Sequence, residues 1–134
     1  MVTVVDQNQT IFKTMISLIL VEDNPITAMS LSLFLKDSSF EVMAELSKGE
    51  EVADKVRELN PSIVIMDIML KGDIDGLQAA AEIRTENNVP ILFVSALSDV
   101  DTTNQINLIT NSDAIVKPFD YEHLEVKIRQ LVKE

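Results

Sequence analysis

Five side chains of this sequence share one kind of address: each follows a short apolar run. LILV is followed by Glu22 and Asp23, IVIM by Asp67, ILFV by Ser95 and AIV by Lys117. One of these alone is ordinary, because a polar residue after a strand is usually a turn or a helix cap. Together they form a chemical set. Three carboxylates brought close repel one another and persist only beside a compensating cation. Hard oxygen donors of that kind suit Mg²⁺ or Mn²⁺, and Mg²⁺ takes one or two carboxylates with a phosphate oxygen and water. Lys117 adds a positive point charge that can pair with Asp67 or with an anionic ligand, and Ser95 adds a hydroxyl donor. A carboxylate nucleophile beside such a cation, a lysine and a hydroxyl is what forming an aspartyl phosphate requires.

For the five to converge, their strands must end on one edge of one sheet. From residue 16 onward, strand and helix patterns alternate. Residues 17–23, 40–46, 62–68, 91–96 and 114–117 read as strands, several of them apolar on both faces. Helices read from Pro25 to about residue 36, with Ile26, Met29, Leu33 and Phe34 as the apolar stripe, then over 49–59, from Gly76 onward, and over 121–132. Residues 99–110 make a weak helix candidate, rich in Asp, Asn and Thr, and only Val100, Ile106, Leu108 and Ile109 can anchor it. The expected fold is α/β, a doubly wound parallel sheet of five strands, flavodoxin-like (βα)5, in the order 2-1-3-4-5. In that order the first, third, fourth and fifth strands are neighbours, and ligands bind at their carboxyl ends. Residues 1–15 lie outside the pattern as an extension that packs as an extra strand or helix or forms a tail, leaving 16–134 as the domain.

The 134 residues suit one domain. A net charge of −11 disfavours direct contact with nucleic acid and leaves carboxylates available for cations. With no cysteine, disulfides and thiolate metal sites are excluded. The N-terminus lacks a basic start followed by an apolar run, and no apolar run is long enough to span a bilayer. The expectation is a cytoplasmic protein without membrane contact. His123 has no ligand-like neighbours and reads as a surface residue.

With VEDN, DIML, SAL and KPF in this order and at these spacings, the chain from about residue 16 onward resembles the receiver domains of two-component response regulators. The resemblance implies that Asp67 takes a phosphoryl group from a histidine kinase. It also implies that Asp23 and Asp67 ligate Mg²⁺ directly, Met69 through its backbone carbonyl and Glu22 mainly through water. Ser95 and Lys117 would contact phosphoryl oxygens. There are two departures from the family pattern. Ala114 stands where an aromatic residue usually swings inward on phosphorylation, and the loop reads LKGDIDG rather than a Pro-containing version, as in stand-alone archaeal and bacterial receivers. Ending at its fifth helix, the chain is expected to carry no DNA-binding or enzymatic output domain. It would act through a downstream protein or another response regulator, as a phosphorelay shuttle, or as a phosphate sink.

Three other readings remain. A flavin or nucleotide binder would need a loop of free N–H groups after the first strand, where this chain has Glu22-Asp23-Asn24-Pro25. A phosphohydrolase with an aspartyl nucleophile would carry a second Asp where Met69 stands. A degenerate receiver acting as a constitutive binding module would not need Asp67 and Lys117. Turnover of a small substrate is not expected beyond slow self-dephosphorylation.

Overall fold

The computed structural model of the chain describes residues 2–5, 12–96 and 99–133. An antiparallel pair, β1 (Val2–Val5) and β2 (Phe12–Met15), precedes the main sheet. The remainder of the expected extension, residues 1 and 6–11, lies outside the described residues.

The main sheet contains β3 (Ser17–Val21), β4 (Glu41–Leu46), β5 (Ile63–Met66), β6 (Ile91–Ser95) and β7 (Ser112–Val116). All its pairings are parallel, and the spatial order is β4-β3-β5-β6-β7, which is the expected 2-1-3-4-5. The helices between and after the strands are α1 (Pro25–Asp37), α2 (Val52–Leu59, preceded by a 3₁₀ turn at Gly49–Glu51), α3 (Gly76–Arg84), α4 (Val100–Asn107) and α5 (Tyr121–Val132).

The two-residue period of the strands sorts their side chains into two cores. Ile19, Val21, Val64, Met66, Ile91 and Phe93 face α2, α3 and α4. Leu18, Leu20, Ile63, Ile65, Leu92, Val94 and Ile115 face α1 and α5. Burying each such side chain contributes about 1.5–3 kcal/mol, so this double-sided burial is the main force fixing the strand ends. Short polar side chains start all the helices except α2. The Asn24 carboxamide accepts the N–H groups of Ile26 and Thr27, Asp75 and Gln78 make a reciprocal capping box, and Asp99 and Asp120 cap α4 and α5.

Two apolar assignments are corrected. The stripe on α1 faces water, with Ile26 78%, Met29 64% and Leu33 59% exposed, while Leu31 and Leu35 make the buried contact. Both rows are helically spaced, and the sheet can cover only one of them; Phe34 leaves the stripe to stack on Tyr121 at 4.4 Å. In α4, Val100 and Leu108 are exposed, leaving buried Ile106 and Thr102, with half-buried Ile109 just beyond the helix. The side of α4 facing β7 is incompletely filled: a pocket of about 250 Å³ is lined by Thr103, Ile106, Asn107, Ser112, Asp113, Ala114 and Val116.

Helix α4 should therefore open more readily than α3, which buries Ala79, Ala80 and Ile83. Amides of Val100–Asn107 are expected to exchange at least about tenfold faster than those of Gly76–Arg84, a difference of about 1.4 kcal/mol in opening free energy. Equal protection of the two helices by hydrogen-exchange mass spectrometry would contradict this.

Candidate phosphoacceptor site

The sheet brings four of the five chosen side chains to one point and sets the fifth beside them. Glu22 and Asp23 follow β3, Asp67 follows β5, Ser95 is the last residue of β6 and Lys117 follows β7. Backbone hydrogen bonds fix these ends. Asp67 N–H donates to the Val21 carbonyl at 3.0 Å, Glu22 N–H to Leu46 at 3.0 Å, and Lys117 N–H to Ser95 at 2.8 Å.

Lys117 holds the centre. Its Nζ donates to Glu22 Oε1 at 2.9 Å and to Asp67 Oδ2 at 3.0 Å. Both carboxylates are largely buried, and each has a backbone donor on its other oxygen. Asn24 N–H donates to Glu22 Oε2 at 3.1 Å, and Met69 N–H to Asp67 Oδ1 at 3.2 Å. Asp23 is more open and accepts the Lys71 N–H at 3.0 Å. Sequence reasoning paired Lys117 with Asp67 and missed its second contact, with Glu22. Only the folded sheet reveals that contact, since the partners are 95 residues apart.

One carboxylate oxygen each from Glu22, Asp23 and Asp67 lie within 4.8 Å of one another. The donor set is all hard oxygen and carries three negative charges against one ammonium, which fits a small divalent cation such as Mg²⁺. Met69 sits in the loop after Asp67 with its side chain exposed. His123 is exposed on α5, as expected.

Electrostatics record the crowding. Burial pushes the Glu22 carboxyl above its ordinary value, against the pull of hydrogen bonds from Lys117 and the Asn24 N–H, and nearby Asp67 adds to the rise. For Lys117, burial works to lower the ammonium's pKa, but the hydrogen bonds to Glu22 and Asp67 outweigh it and hold it above the ordinary lysine value.

Gly76 explains how the strand and loop close behind Asp67. Its N–H donates to the Ile68 carbonyl at 2.7 Å, and a β-carbon there would run into the Asp67 carbonyl oxygen and sit 2.9 Å from Ile68 Cα. Any side chain at this position must displace the backbone that presents the carboxylate.

The response regulator receiver domain matches residues 18–129 of the chain. The chain belongs to this family. Members serve two-component signalling, accept phosphate from histidine kinases and bind Mg²⁺ in an acidic pocket. This receiver is 32% identical over 120 residues to the response regulator ArlR of Staphylococcus haemolyticus, covering 89% of this chain and 53% of that one. It is 31% identical over 114 residues to the DNA-binding response regulator MtrA of Mycolicibacterium smegmatis, covering 84% of this chain and 48% of that one. The chain thus spans about half the length of the curated relatives it matches. Among solved structures, the signal receiver domain of a modulated diguanylate cyclase from Desulfovibrio desulfuricans G20 superposes with a TM-score of 0.81 at 27% identity, over 90% of this receiver and 95% of that chain. No helix among the receiver's described residues is long and apolar enough to cross a membrane.

The raised pKa of Glu22 sets a pH dependence. A folded carboxyl that binds its proton more tightly than the unfolded one stabilises the fold below the ordinary value of 4.5, and that contribution is lost as pH rises through the raised value. Near neutral pH, ionised Glu22 is therefore a net burden on the metal-free fold. In EDTA at pH 7, Glu22→Gln is expected to raise the unfolding midpoint. The gap should close as pH falls below 4.5. A destabilised Gln variant at pH 7 would show that the Lys117 pairing outweighs burial.

Proposed function

We propose that Asp67 is the phosphoacceptor of a two-component signalling step, and that the phosphorylated receiver changes its contacts with a downstream protein or another response regulator. The observation supporting this most directly is the Lys117 ammonium, 3.0 Å from Asp67 and 2.9 Å from Glu22, in a cluster of three carboxylates.

In this reading Asp23 and Asp67 hold Mg²⁺ directly, with the Met69 carbonyl, and Glu22 holds it mainly through water. The bound ion would neutralise charge developing on the transferred group. One Asp67 oxygen attacks the phosphorus of a phosphohistidine, forming the P–O bond. The P–N bond breaks, its electron pair returns to the imidazole, and the imidazole takes a proton from solvent. Asp67 needs little reorientation, since Met69 N–H and Lys117 already hold its two oxygens. Lys117 then follows the negative charge onto a phosphoryl oxygen, and the Ser95 hydroxyl donates to another.

The rival readings lack comparable support. Phosphate binding at the N-terminus of α1 would compete with the Asn24 side chain, which takes the N–H groups of Ile26 and Thr27, and Pro25 has none to offer. At the position where a phosphohydrolase would carry its acid/base, Met69 has no titratable group.

An acyl phosphate donor with Mg²⁺ is expected to add one phosphoryl group to the wild type and none to Asp67→Asn, as read by intact mass. Equal labelling of the two would move the acceptor elsewhere. Separately, Asp23→Ala should abolish Mg²⁺ binding measured by calorimetry without phosphate, since two direct carboxylates leave no spare anchor. Undiminished binding would place the cation away from Asp23.

A further inference from the structure

Gly49 and Gly72 lie along one seam, where the loop between β5 and α3 packs on the turn between β4 and α2. A β-carbon on Gly49 would meet Ile74 Cγ1 at 2.9 Å and the Ile74 carbonyl oxygen at 3.0 Å. Gly72 has φ +105°, and a β-carbon there would lie 2.8 Å from Glu50 Oε2 and 3.0 Å from Oε1. Gly76, at the far end of the loop, meets Asp67 and Ile68 instead. Lys48 and Lys71 meet in a parallel bridge across the seam. The loop carrying Met69 is thus docked on residues 48–50, and glycine is what permits the approach.

Two carboxylates grip this loop by its backbone. Asp23 Oδ2 accepts the Lys71 N–H at 3.0 Å, and Glu50 Oε1 accepts the Ile74 N–H at 3.1 Å. Their situations differ. Asp23 belongs to the three-carboxylate cluster, so any cation there draws on its oxygens. A cation taken on Asp23 Oδ2 would compete with the Lys71 N–H, whereas Glu50 stands outside that cluster and would hold the Ile74 N–H independently of the ion, alongside the packing of Leu70 and Ile74 on the core.

We propose that Glu50 is a positioning residue for cation binding: through the Ile74 N–H it keeps the loop of residues 69–75 docked, and with it the Met69 carbonyl available to the ion. This rests on the reading of Met69 as a carbonyl ligand. Glu50 itself touches neither the ion nor the phosphoryl group. Its side chain is exposed, so replacing it leaves both cores intact.

Calorimetric Mg²⁺ titration and hydrogen exchange on the metal-free protein test this in wild type, Glu50→Ala, Glu50→Gln, Glu51→Ala and Asp23→Ala. Glu50→Ala is expected to weaken Mg²⁺ roughly tenfold, the lower end of what loss of an outer hydrogen-bond partner does to metal sites. It should also speed amide exchange over residues 70–74. Glu50→Gln keeps an acceptor oxygen of the same reach without the charge, and should recover most of both. The neighbouring Glu51→Ala should change neither. If Glu50→Ala loosens the loop while Mg²⁺ affinity is unchanged, Glu50 is a surface staple and the proposal is overturned, with the site itself intact. If Glu50→Gln weakens Mg²⁺ as much as Glu50→Ala, the carboxylate acts by charge rather than by position, which also overturns it. If the wild type binds no Mg²⁺, or Asp23→Ala binds it undiminished, the reading of the site fails and the proposal with it.

Discussion

The mutual repulsion of Glu22, Asp23 and Asp67 is the constraint on which the site depends. Lys117 relieves it for the two buried members of the cluster, and can do so only when the sheet is assembled. It follows β7 at one edge, 95 residues from Glu22 and 50 from Asp67 along the chain, and must reach across the end of β6. The backbone bond from Lys117 N–H to the Ser95 carbonyl anchors it there. No local segment could make this arrangement, so the charge balance of the site depends on completing the sheet. The apolar residues on both faces of the strands supply the free energy that holds like charges together.

Around this rigid edge the perimeter is uneven. Helices α2 and α3 share core residues, and the Arg57–Glu86 pair at 2.9 Å ties α2 to the turn just after α3. Helix α4 has little of its own to bury, yet the chain after it is fixed. The Arg84 guanidinium at the end of α3 donates to the carbonyls of Thr110 at 2.8 Å and Asn111 at 3.0 Å. Asn111 adds a side-chain bond to the Asn88 carbonyl at 2.7 Å. A loosely packed helix is thus strung between two firm attachments, one at Ser95 in the site and one at the start of β7. Ala114 lies on β7 beside the unfilled pocket.

Much of this was legible in the sequence. Apolar runs with no polar face announce buried parallel strands, and the proline, glycine and Asx punctuation sets most helix limits. Converging polar residues then follow from topology. The misreadings have a common physical origin. A helix such as α1 can carry two apolar rows, and periodicity does not say which one the sheet covers; Leu31 and Leu35 won over Ile26, Met29 and Leu33. The Lys117–Glu22 pair and the Glu50–Ile74 bond are contacts between distant segments, and neither leaves a local pattern. A glutamate after a glycine looks like any solvated helix start until the loop from β5 is laid across it.

The close glycine contacts of this loop also bear on how the chain can vary over evolutionary time. Loops ordinarily absorb substitutions and length changes more readily than the elements they join. Here the order is reversed. On α2, Asp54 and Glu58 are exposed and open to exchange, while the stretch above it meets backbone or carboxylate atoms at each glycine. A lineage could redesign that helix surface and still be held to the same few residues in the loop, so that freedom and constraint sit side by side in one small domain.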